Sequence, residues 1–432
     1  MGRIALRVVF MVLLPSLEVC AADDMAAAWP QFRGPHRNGI SEETGLLPAW
    51  PTNGPPLLWA CTNCGAGYAG VTIAEGRVLT AGTFSNGTRI IALSLAGQPL
   101  WTTPNGTGRW RVPSDKKDWA VPYGGTRATP TIAAGRVFQL DVLGCLGAFD
   151  LHTGAGLWAL DLPAAFQGVC NEWGYSESVL VEDGRLYCLP GGKNGFLVCL
   201  DAATGRTLWS CTEIPDAKAS NASCLLAEIG GVRQIVTMTT LLIVGVRADD
   251  GRLLWQTRHA NRYRENCETP QYVDGVLYVT SGYGHGSEGY RISPPAGTNG
   301  WTASQVWRQD QADNLHGGPT IRDGNVYGAG YDRRGAFCLD LASGRFMWRD
   351  TSVGRSSYTF AEGLLYRLGE DGAMALERPN PRQREPLCSF RIPSAGRSIC
   401  LTHPVVCGRR LYVRHQQNLY CYDLAGGGRD GR

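Results

Sequence analysis

The chain has 432 residues, a formal net charge of +3, and ordinary proportions of hydrophobic and charged side chains, 44% and 18%. Because so long a chain is nearly neutral, electrostatics gives no reason to expect binding to nucleic acid or to an anionic membrane. The hydrophobic content is sufficient for a large folded core, which excludes an intrinsically disordered chain.

The first 21 residues predict a secretory signal. Two arginines precede an apolar run from Val8 to Leu14, and small residues follow at Ala21. The run is too short to span a bilayer, and no later segment is apolar over the roughly 18 residues that a membrane helix requires. We therefore expect cleavage after Ala21 and a mature protein in the periplasm or outside the cell. Lipid attachment at Cys20 is the alternative, although the two residues before it are larger than such sites normally have.

An element that ends in tryptophan recurs along the rest of the chain. Typical copies are "LDAATGRTLW" and "LDLASGRFMW". Neighbouring copies, some of them degenerate, are 41 to 57 residues apart, a spacing typical of one four-stranded sheet per repeat. The eight copies end at Trp59, Trp101, Trp158, Trp209, Trp255, Trp307, Trp348 and Phe390.

A glycine-centred turn between two β-rich runs alternates with the tryptophan element. Examples are "PTIAAGRVFQL" and "PTIRDGNVYGA". Short apolar runs interrupted in this way predict β-hairpins. The turn glycines are Gly76, Gly135, Gly184, Gly231, Gly275, Gly324, Gly363 and Gly408. Two independent counts therefore predict eight small antiparallel sheets.

A single small sheet cannot bury both of its faces, whereas sheets stacked around an axis cover one another. We therefore predict an all-β fold, an eight-bladed β-propeller of four-stranded antiparallel blades, with the repeated tryptophans packed between neighbouring blades. The predicted divisions are a signal peptide at 1–21, an N-terminal arm at 22–56, the propeller at 57–424 and a C-terminal tail at 425–432.

The two ends of the repeat region are complementary. The segment "PPLLW" has no inner strands before it, and the last repeat stops without its tryptophan strand. We therefore predict that Leu57 to Trp59 pairs beside Leu419 to Asp423 and closes the ring.

The cysteines fall into two kinds of position. Cys199, Cys338 and Cys421 align with sites where other repeats have alanine or glycine, which predicts small, buried packing residues. Cys61 and Cys64 are candidates for a disulfide or a redox pair. The same pair is a weak metal candidate, because no second cysteine or histidine pair follows at zinc-ligand spacing.

The repeats resemble those of the PQQ-repeat family, which includes quinoprotein alcohol dehydrogenases and the propeller lipoprotein of the outer-membrane barrel-assembly machinery. The segments "WPQFRGPHRNGIS", "LPGGKNG", "SGYGHG", "NLHGGP" and "THPVVCGRRLYVR" are similar to secreted bacterial propellers described as PQQ-binding-like. The resemblance covers nearly the whole mature chain. It implies the propeller fold and leaves the activity open, because one fold hosts many functions.

The chain departs from the quinoprotein enzymes at two places. It has no pair of adjacent cysteines, and Cys61-x-x-Cys64 is followed by Gly65 instead of the histidine of a c-type haem motif. We therefore predict no cofactor, and PQQ with calcium is the set that the resemblance would allow.

Ligands of propellers normally bind at the axial mouth, where the loops before the inner strands converge. Residues at a fixed offset before the turn glycines are Tyr68, Arg127, Ser176, Ser223, Cys267, His316 and Cys400. No metal site is predicted. If calcium does bind, Glu177 and Glu268 are the most suitable ligands, because calcium binds carboxylate oxygens. A polar, water-filled channel is the alternative. The candidate ligand-binding residues are Tyr123, Arg127, Trp173, Glu177, Glu268, His316 and His403.

These observations favour a monomeric, non-catalytic module that binds or scaffolds a protein, a polysaccharide or a small polar ligand. One alternative is a PQQ- and calcium-dependent oxidoreductase that acts on alcohols or sugars. Another is an outer-membrane protein assembly factor. No catalytic residue is assigned.

Overall fold

The computed structural model describes residues 27–106, 124–296, 300–316, 318–331 and 335–426. In these ranges the strands form eight sheets of antiparallel blades, which confirms the all-β, eight-bladed propeller. A short helix, α1 (Leu162–Phe166), follows the outer strand of the second blade. None of the helices in the described ranges has both the length and the apolar character that a bilayer crossing needs.

The N-terminal arm contributes β1 (Ile40–Ser41) and leads into β2 (Leu57–Cys61). The first four blades are β3 (Thr72–Ala74), β4 (Arg77–Phe84), β5 (Gly87–Ser94), β6 (Pro99–Pro104); β7 (Thr131–Ala133), β8 (Arg136–Leu140), β9 (Cys145–Asp150), β10 (Gly156–Asp161); β11 (Leu180–Glu182), β12 (Arg185–Cys188), β13 (Leu197–Asp201), β14 (Thr207–Cys211); and β15 (Leu225–Ile229), β16 (Val232–Met238), β17 (Leu242–Arg247), β18 (Leu253–Arg258).

The other four are β19 (Gln271–Val273), β20 (Val276–Ser281), β21 (Gly286–Ser293), β22 (Thr302–Gln309); β23 (Thr320–Arg322), β24 (Asn325–Ala329), β25 (Ala336–Asp340), β26 (Phe346–Asp350); β27 (Ser356–Ala361), β28 (Leu364–Gly369), β29 (Ala373–Arg378), β30 (Glu385–Arg391); and β31 (Val405–Cys407), β32 (Arg410–His415), β33 (Asn418–Asp423) with β2. Blade 7 has a fifth strand, because β1 pairs with β27 in parallel.

Two-residue turns join the two inner strands of each blade. In blade 1, Glu75 and Gly76 both have positive φ, 49° and 73°, as a type I′ turn requires. The other seven predicted glycines also have positive φ. This turn matches the right-handed twist of paired strands, which explains why the glycine recurs in every repeat.

The repeated tryptophans connect neighbouring blades, as predicted. Trp209 of blade 3 donates from Nε1 to the Ala248 carbonyl of blade 4 over 3.0 Å. Its ring covers Gly251, where an added Cβ would lie 2.5 Å from the ring. Trp101 contacts blade 2 in the same way, through the Leu151 carbonyl. These rings therefore contribute both apolar burial and a hydrogen bond between blades. Trp255 differs, because its Nε1 donates to Gln234 of the same blade.

The small residue that precedes each tryptophan turn has a packing role. Cys199, Cys338 and Cys421 are fully buried, which confirms the prediction. Cys199 lies directly across the sheet from Trp209, and the other two cysteines face tryptophans in the same register. A larger side chain there would displace the tryptophan ring, so the position accepts only glycine, alanine or cysteine in these repeats.

The N-terminal strand closes the ring, as predicted. Trp59 pairs with Cys421, and Cys61 pairs with Leu419. Trp59 then donates to the Leu95 carbonyl of blade 1 over 2.9 Å. The first strand of the ring therefore completes blade 8 and also makes the tryptophan contact to blade 1.

Candidate functional site

The loops that precede the inner strands converge on one face and form a pocket of about 280 Å³ at the axis. Every blade contributes a lining residue from such a loop. In blade order these are Tyr68, Arg127, Ser176, Ser223, Cys267, His316, Arg355 and His403. Six of the seven positions predicted from the fixed offset line this pocket, and Cys400 does not.

The N-terminal arm crosses the axis and provides the floor of the pocket. The Trp29 backbone forms two hydrogen bonds with Ile73 of blade 1, and the Pro30 carbonyl accepts from the Ile132 amide of blade 2. On the other side, the Ser41 hydroxyl donates to the Val406 carbonyl of blade 8 over 2.8 Å. Trp29, Phe32 and Arg33 line the pocket. The pocket is therefore closed at one end instead of opening into a channel.

Two buried arginines anchor the arm to the ring. Arg37 donates to the carbonyls of Cys224, Ser178 and Val179 at 2.6 to 2.8 Å, and so joins blades 3 and 4. Burial lowers the pKa of Arg37 to about 10, which leaves it charged at neutral pH. Arg33 donates to the Pro319 carbonyl beside blade 6 over 2.8 Å.

One wall of the pocket is an aromatic and acidic network. Trp173 donates from Nε1 to one oxygen of Glu265 over 2.5 Å, and the Tyr283 hydroxyl donates to the other over 2.6 Å. Arg127 lies 5.7 Å from the centre of the Trp173 ring and donates to the Trp173 carbonyl. The Tyr283 ring also contacts that of Tyr331, with centroids 5.0 Å apart. These contacts hold the ring faces and Arg127 in fixed orientations.

The opposite wall is built around Glu370. Arg355 binds one oxygen of this carboxylate at 2.7 Å, and His316 Nε2 lies 3.2 Å from the other. His403 Nε2 lies 2.8 Å from the His316 carbonyl, so this nitrogen carries the proton. Burial and the nearby Arg33 lower the pKa of His403 to about 3, so the ring is neutral at neutral pH. In the described part of the chain, Nδ1 of neither histidine has a hydrogen-bond partner.

Charged side chains of both signs line the pocket. Arg33, Arg127 and Arg355 are positive, Glu265 and Glu370 are negative, and the buried Glu268 just outside the pocket acts on Arg33. Arginines among aromatic rings suit a compact ligand that combines a ring with an anionic group.

The structure separates the predicted site residues into three groups. Arg127, Trp173, His316 and His403 line the pocket. Glu177 and Glu268 are buried outside it, with exposed fractions of 2% and 1%. Tyr123 lies outside the described residues.

Sequence reasoning did not identify Phe32, Arg33, Tyr283, Tyr331, Arg355 and Glu370 as lining residues. Tyr283, Tyr331 and Glu370 occupy the turns between the second and third strands of blades 5, 6 and 7. Those turns lie at a repeating position that an alignment of the hairpins would have marked. The arm residues Phe32 and Arg33 belong to the motif "WPQFRGPHRNGIS", and no other feature of the sequence indicates that they line the pocket.

A family model described as "Outer membrane protein assembly factor BamB" matches residues 87–350, which is more than half of the chain. The chain belongs to this family. The expected PQQ-like repeat family is therefore confirmed.

Two curated relatives match parts of the chain. Outer membrane protein assembly factor BamB of Shewanella oneidensis is 22% identical over 237 residues, 52% of this chain and 56% of that protein. Quinohemoprotein alcohol dehydrogenase of Comamonas testosteroni is 29% identical over 100 residues, 22% of this chain and 14% of the enzyme. The chain thus spans about half of one relative and about a seventh of the other.

The crystal structure of BamB from Moraxella catarrhalis shares the fold. Its TM-score is 0.59 at 14% identity, and the match covers 86% of this chain and all of that one. At this identity the likeness shows the fold alone.

Glu177 and Glu268, the two carboxylates named for the case that calcium binds, have other neighbours in the structure. Glu177 accepts from the Leu189 amide over 2.7 Å and from the Cys224 thiol over 3.1 Å. Burial raises the pKa of Glu177 to about 7, and the nearby buried Arg37 acts in the opposite direction. The charge of Glu268 raises the pKa of the buried Arg33. Each glutamate therefore interacts with an arginine of the arm. Among the described residues, no group of three acidic, histidine or cysteine ligands lies at the axial pocket.

A separate cluster of His259, His285 and Glu288 lies between blades 4 and 5, with its ligand atoms within 4.8 Å of one another. His259 Nδ1 lies 2.6 Å from Glu288, and its Nε2 lies 2.8 Å from the Ser281 hydroxyl. Arg308 also binds Glu288, at 2.9 Å. Protein groups already occupy both nitrogens of His259, and one oxygen of Glu288 binds an arginine. The third member, His285, has its Nε2 3.5 Å from Glu288, and this nitrogen has no hydrogen-bond partner among the described residues. The cluster is therefore a polar network whose members mainly contact one another.

Proposed function

We propose that this protein is an exported, non-catalytic binding propeller whose blind axial pocket holds a small ring-shaped ligand with an anionic group, such as an acidic sugar. The observation that carries the proposal is the pocket itself, which the arm closes and which arginines and aromatic rings line. Its volume of about 280 Å³ is close to the lower end for ligand pockets, so a single ring or the end of a polymer is the appropriate size.

The walls supply complementary chemistry to such a ligand. The rings of Trp173, Tyr283 and Tyr331 line the pocket and would give a ligand ring apolar contact beside Arg127, which lies over Trp173, and Arg355, which lies over Tyr331. Arg127 and Arg355 can form charge-assisted hydrogen bonds with a carboxylate, which are stronger than neutral ones. Hydroxyl groups of the ligand could bond to the Nδ1 atoms of His316 and His403, and those bonds would offset the cost of two buried unpaired nitrogens.

The first experiment compares acidic and neutral sugars by titration calorimetry. We expect glucuronate or galacturonate to bind the mature chain at least about tenfold more tightly than glucose or galactose, because a charged hydrogen bond adds roughly 1.5–3 kcal/mol. Arg355→Met should remove most of this preference. Arg345→Met is the matched control, because Arg345 is exposed and lies outside the pocket. Equal affinities for acidic and neutral sugars, or an unchanged preference in Arg355→Met, would contradict the proposed ligand class.

PQQ also combines rings with carboxylates, so it is included in the titration with and without calcium. Under the oxidoreductase alternative, the loaded protein would reduce a dye when given alcohols or sugars. Activity of that kind, lost in a Glu177→Gln variant, would replace the binding function by catalysis. Glu177 is buried and already accepts hydrogen bonds from the Leu189 amide and the Cys224 thiol, which argues against this outcome.

A scaffold role in outer-membrane protein assembly is a second candidate, favoured by the family match. It predicts that the protein co-purifies with a barrel-assembly complex, whereas a sugar-binding monomer would not. Both proposals require export. We propose cleavage after Ala21, with lipid attachment at Cys20 as the alternative; both positions are outside the described ranges. Cell fractionation and N-terminal sequencing of the mature protein test that requirement.

A further inference from the structure

The segment that closes the ring carries two cysteines whose sulfur atoms face each other. Cys61 is the last residue of β2, and Cys64 lies in the loop that leads to blade 1. Their Sγ atoms are 3.5 Å apart, and the Cys64 thiol donates to Cys61. Both are free thiols in the structure, so the disulfide stays a prediction.

The two sulfur atoms differ in accessibility. Cys61 is partly exposed, whereas Cys64 is fully buried. The backbone holds Cys64 in place, because its amide donates to the Gln417 carbonyl over 2.9 Å and its carbonyl accepts from the buried Arg414 over 2.8 Å. An exposed sulfur beside a fixed, buried one is the arrangement that a reacting and a resolving thiol require.

The local charge also distinguishes Cys61. The hydrogen bond from Cys64 lowers the pKa of Cys61 to about 6, and the positive charge of Arg414 acts in the same direction. Other partly exposed cysteines behave differently: burial raises the pKa of Cys170 to about 11 and also raises that of Cys388. Cys61 is thus mainly a thiolate at neutral pH, while these two stay protonated.

We propose that Cys61 and Cys64 form a two-electron thiol–disulfide couple that exchanges with an external disulfide. The Cys61 thiolate attacks one sulfur of that disulfide, which forms a mixed disulfide and releases the first thiol. Cys64 then attacks Cys61 Sγ, which forms the Cys61–Cys64 bond and releases the second thiol. The external disulfide gains the two electrons. Its first half leaves as a thiolate and takes a proton from solvent, and the proton of Cys64 ends on the second released thiol.

The test uses oxidised glutathione and mass spectrometry on the full mature chain. Wild type should lose two hydrogens at the Cys61–Cys64 peptide and keep no glutathione. Cys64→Ala should stop at the first step and keep one glutathionyl group on Cys61, and Cys170→Ser should behave as wild type. A stable glutathione adduct on wild-type Cys61, or no reaction at this peptide, would overturn the couple. Because the wild-type result stands alone, misfolding of a variant does not obscure the outcome.

A second readout measures the order of reactivity. At about pH 7, iodoacetamide should modify Cys61 roughly 50-fold faster than Cys170, since the larger thiolate fraction outweighs its lower nucleophilicity. The midpoint of the Cys61 rate against pH should lie near 6 in wild type and move toward the ordinary value of about 8.5 in Cys64→Ala. A midpoint that does not change in Cys64→Ala would contradict the assigned role of Cys64.

Discussion

Arg37 shows how one residue can join distant parts of the molecule. Its guanidinium is fully buried and donates to three carbonyls at the start of blades 3 and 4, and to the Gln31 side chain within the arm. A buried charge of this kind is tolerated only when its donors are satisfied. The arm therefore contributes to the stability of the ring as well as to the pocket floor.

Replacing Arg37 by methionine should destabilise the fold. The variant leaves several carbonyls and the neighbouring Glu177 without their positive partner, so we expect a loss of about 3–5 kcal/mol in the free energy of unfolding. Urea denaturation measures it. Arg206→Met, at an exposed position, should change the same quantity by less than about 0.5 kcal/mol. A small effect of Arg37→Met would show that the arm is not anchored as described.

Glu177 gives the fold a specific pH dependence. Burial raises its pKa to about 7 in the folded state, above its ordinary value of 4.5. The folded protein then binds a proton that the unfolded chain has already released. This contribution to stability is therefore lost as pH rises from about 4.5 to about 7.

Glu177→Gln should remove that loss, because glutamine keeps an oxygen acceptor for the Leu189 amide and carries no charge. The difference in the free energy of unfolding between variant and wild type should be about 2 kcal/mol more favourable to the variant at about pH 8 than at about pH 5. Urea denaturation at both pH values measures the difference, and all other titrating groups cancel in it. The exposed Glu182→Gln should show no such pH dependence. If Glu177→Gln changed the free energy of unfolding by the same amount at both pH values, Glu177 would not hold a proton in the folded state.

At the scale of the element, the tryptophan and the glycine of the next blade form one packing unit. Gly251 and Gly275 both have φ of 77°, so alanine is strained at either position. They differ in their surroundings: a Cβ at Gly251 would meet the Trp209 ring at 2.5 Å, and one at Gly275 would meet nothing within 4 Å.

This pair of glycines separates strain from packing. Gly275→Ala should cost about 1–2 kcal/mol through backbone strain alone. Gly251→Ala should lower the free energy of unfolding by about 1–3 kcal/mol more than Gly275→Ala does, because the added methyl group displaces Trp209. Thermal and urea unfolding of the two variants measure the difference. Equal costs would mean that the tryptophan contact contributes little between blades.

The elements were predictable from the sequence because each repeat carries the same physical constraints. Gly76 and its seven counterparts mark type I′ turns, and Trp59 marks a strand without its own sheet, which fixed the number of blades and the closure. Six pocket positions followed from the offset to those turns. The path of the arm did not follow, because Arg33 and Arg37 bind main-chain carbonyls, which carry no side-chain signature in the sequence. For the same reason Glu177 and Glu268 resembled metal ligands before their arginine partners were visible.

At the scale of the whole molecule, the arm and the ring depend on each other. The chain first crosses the axis, contacting the inner strands of blades on both sides, and then forms the outer strand that closes the ring. The floor of the pocket and the ring closure therefore come from one continuous segment. The arm thus connects separate sheets at the centre of the ring and holds the pocket floor in place.

A crystal structure of the mature chain with bound galacturonate would show where the ligand lies. We expect eight blades, the arm across the axis, and the sugar in the axial pocket, with its carboxylate on Arg127 or Arg355 and its ring against Trp173, Tyr283 or Tyr331. An open channel without the arm, or a sugar bound elsewhere on the molecule, would contradict it.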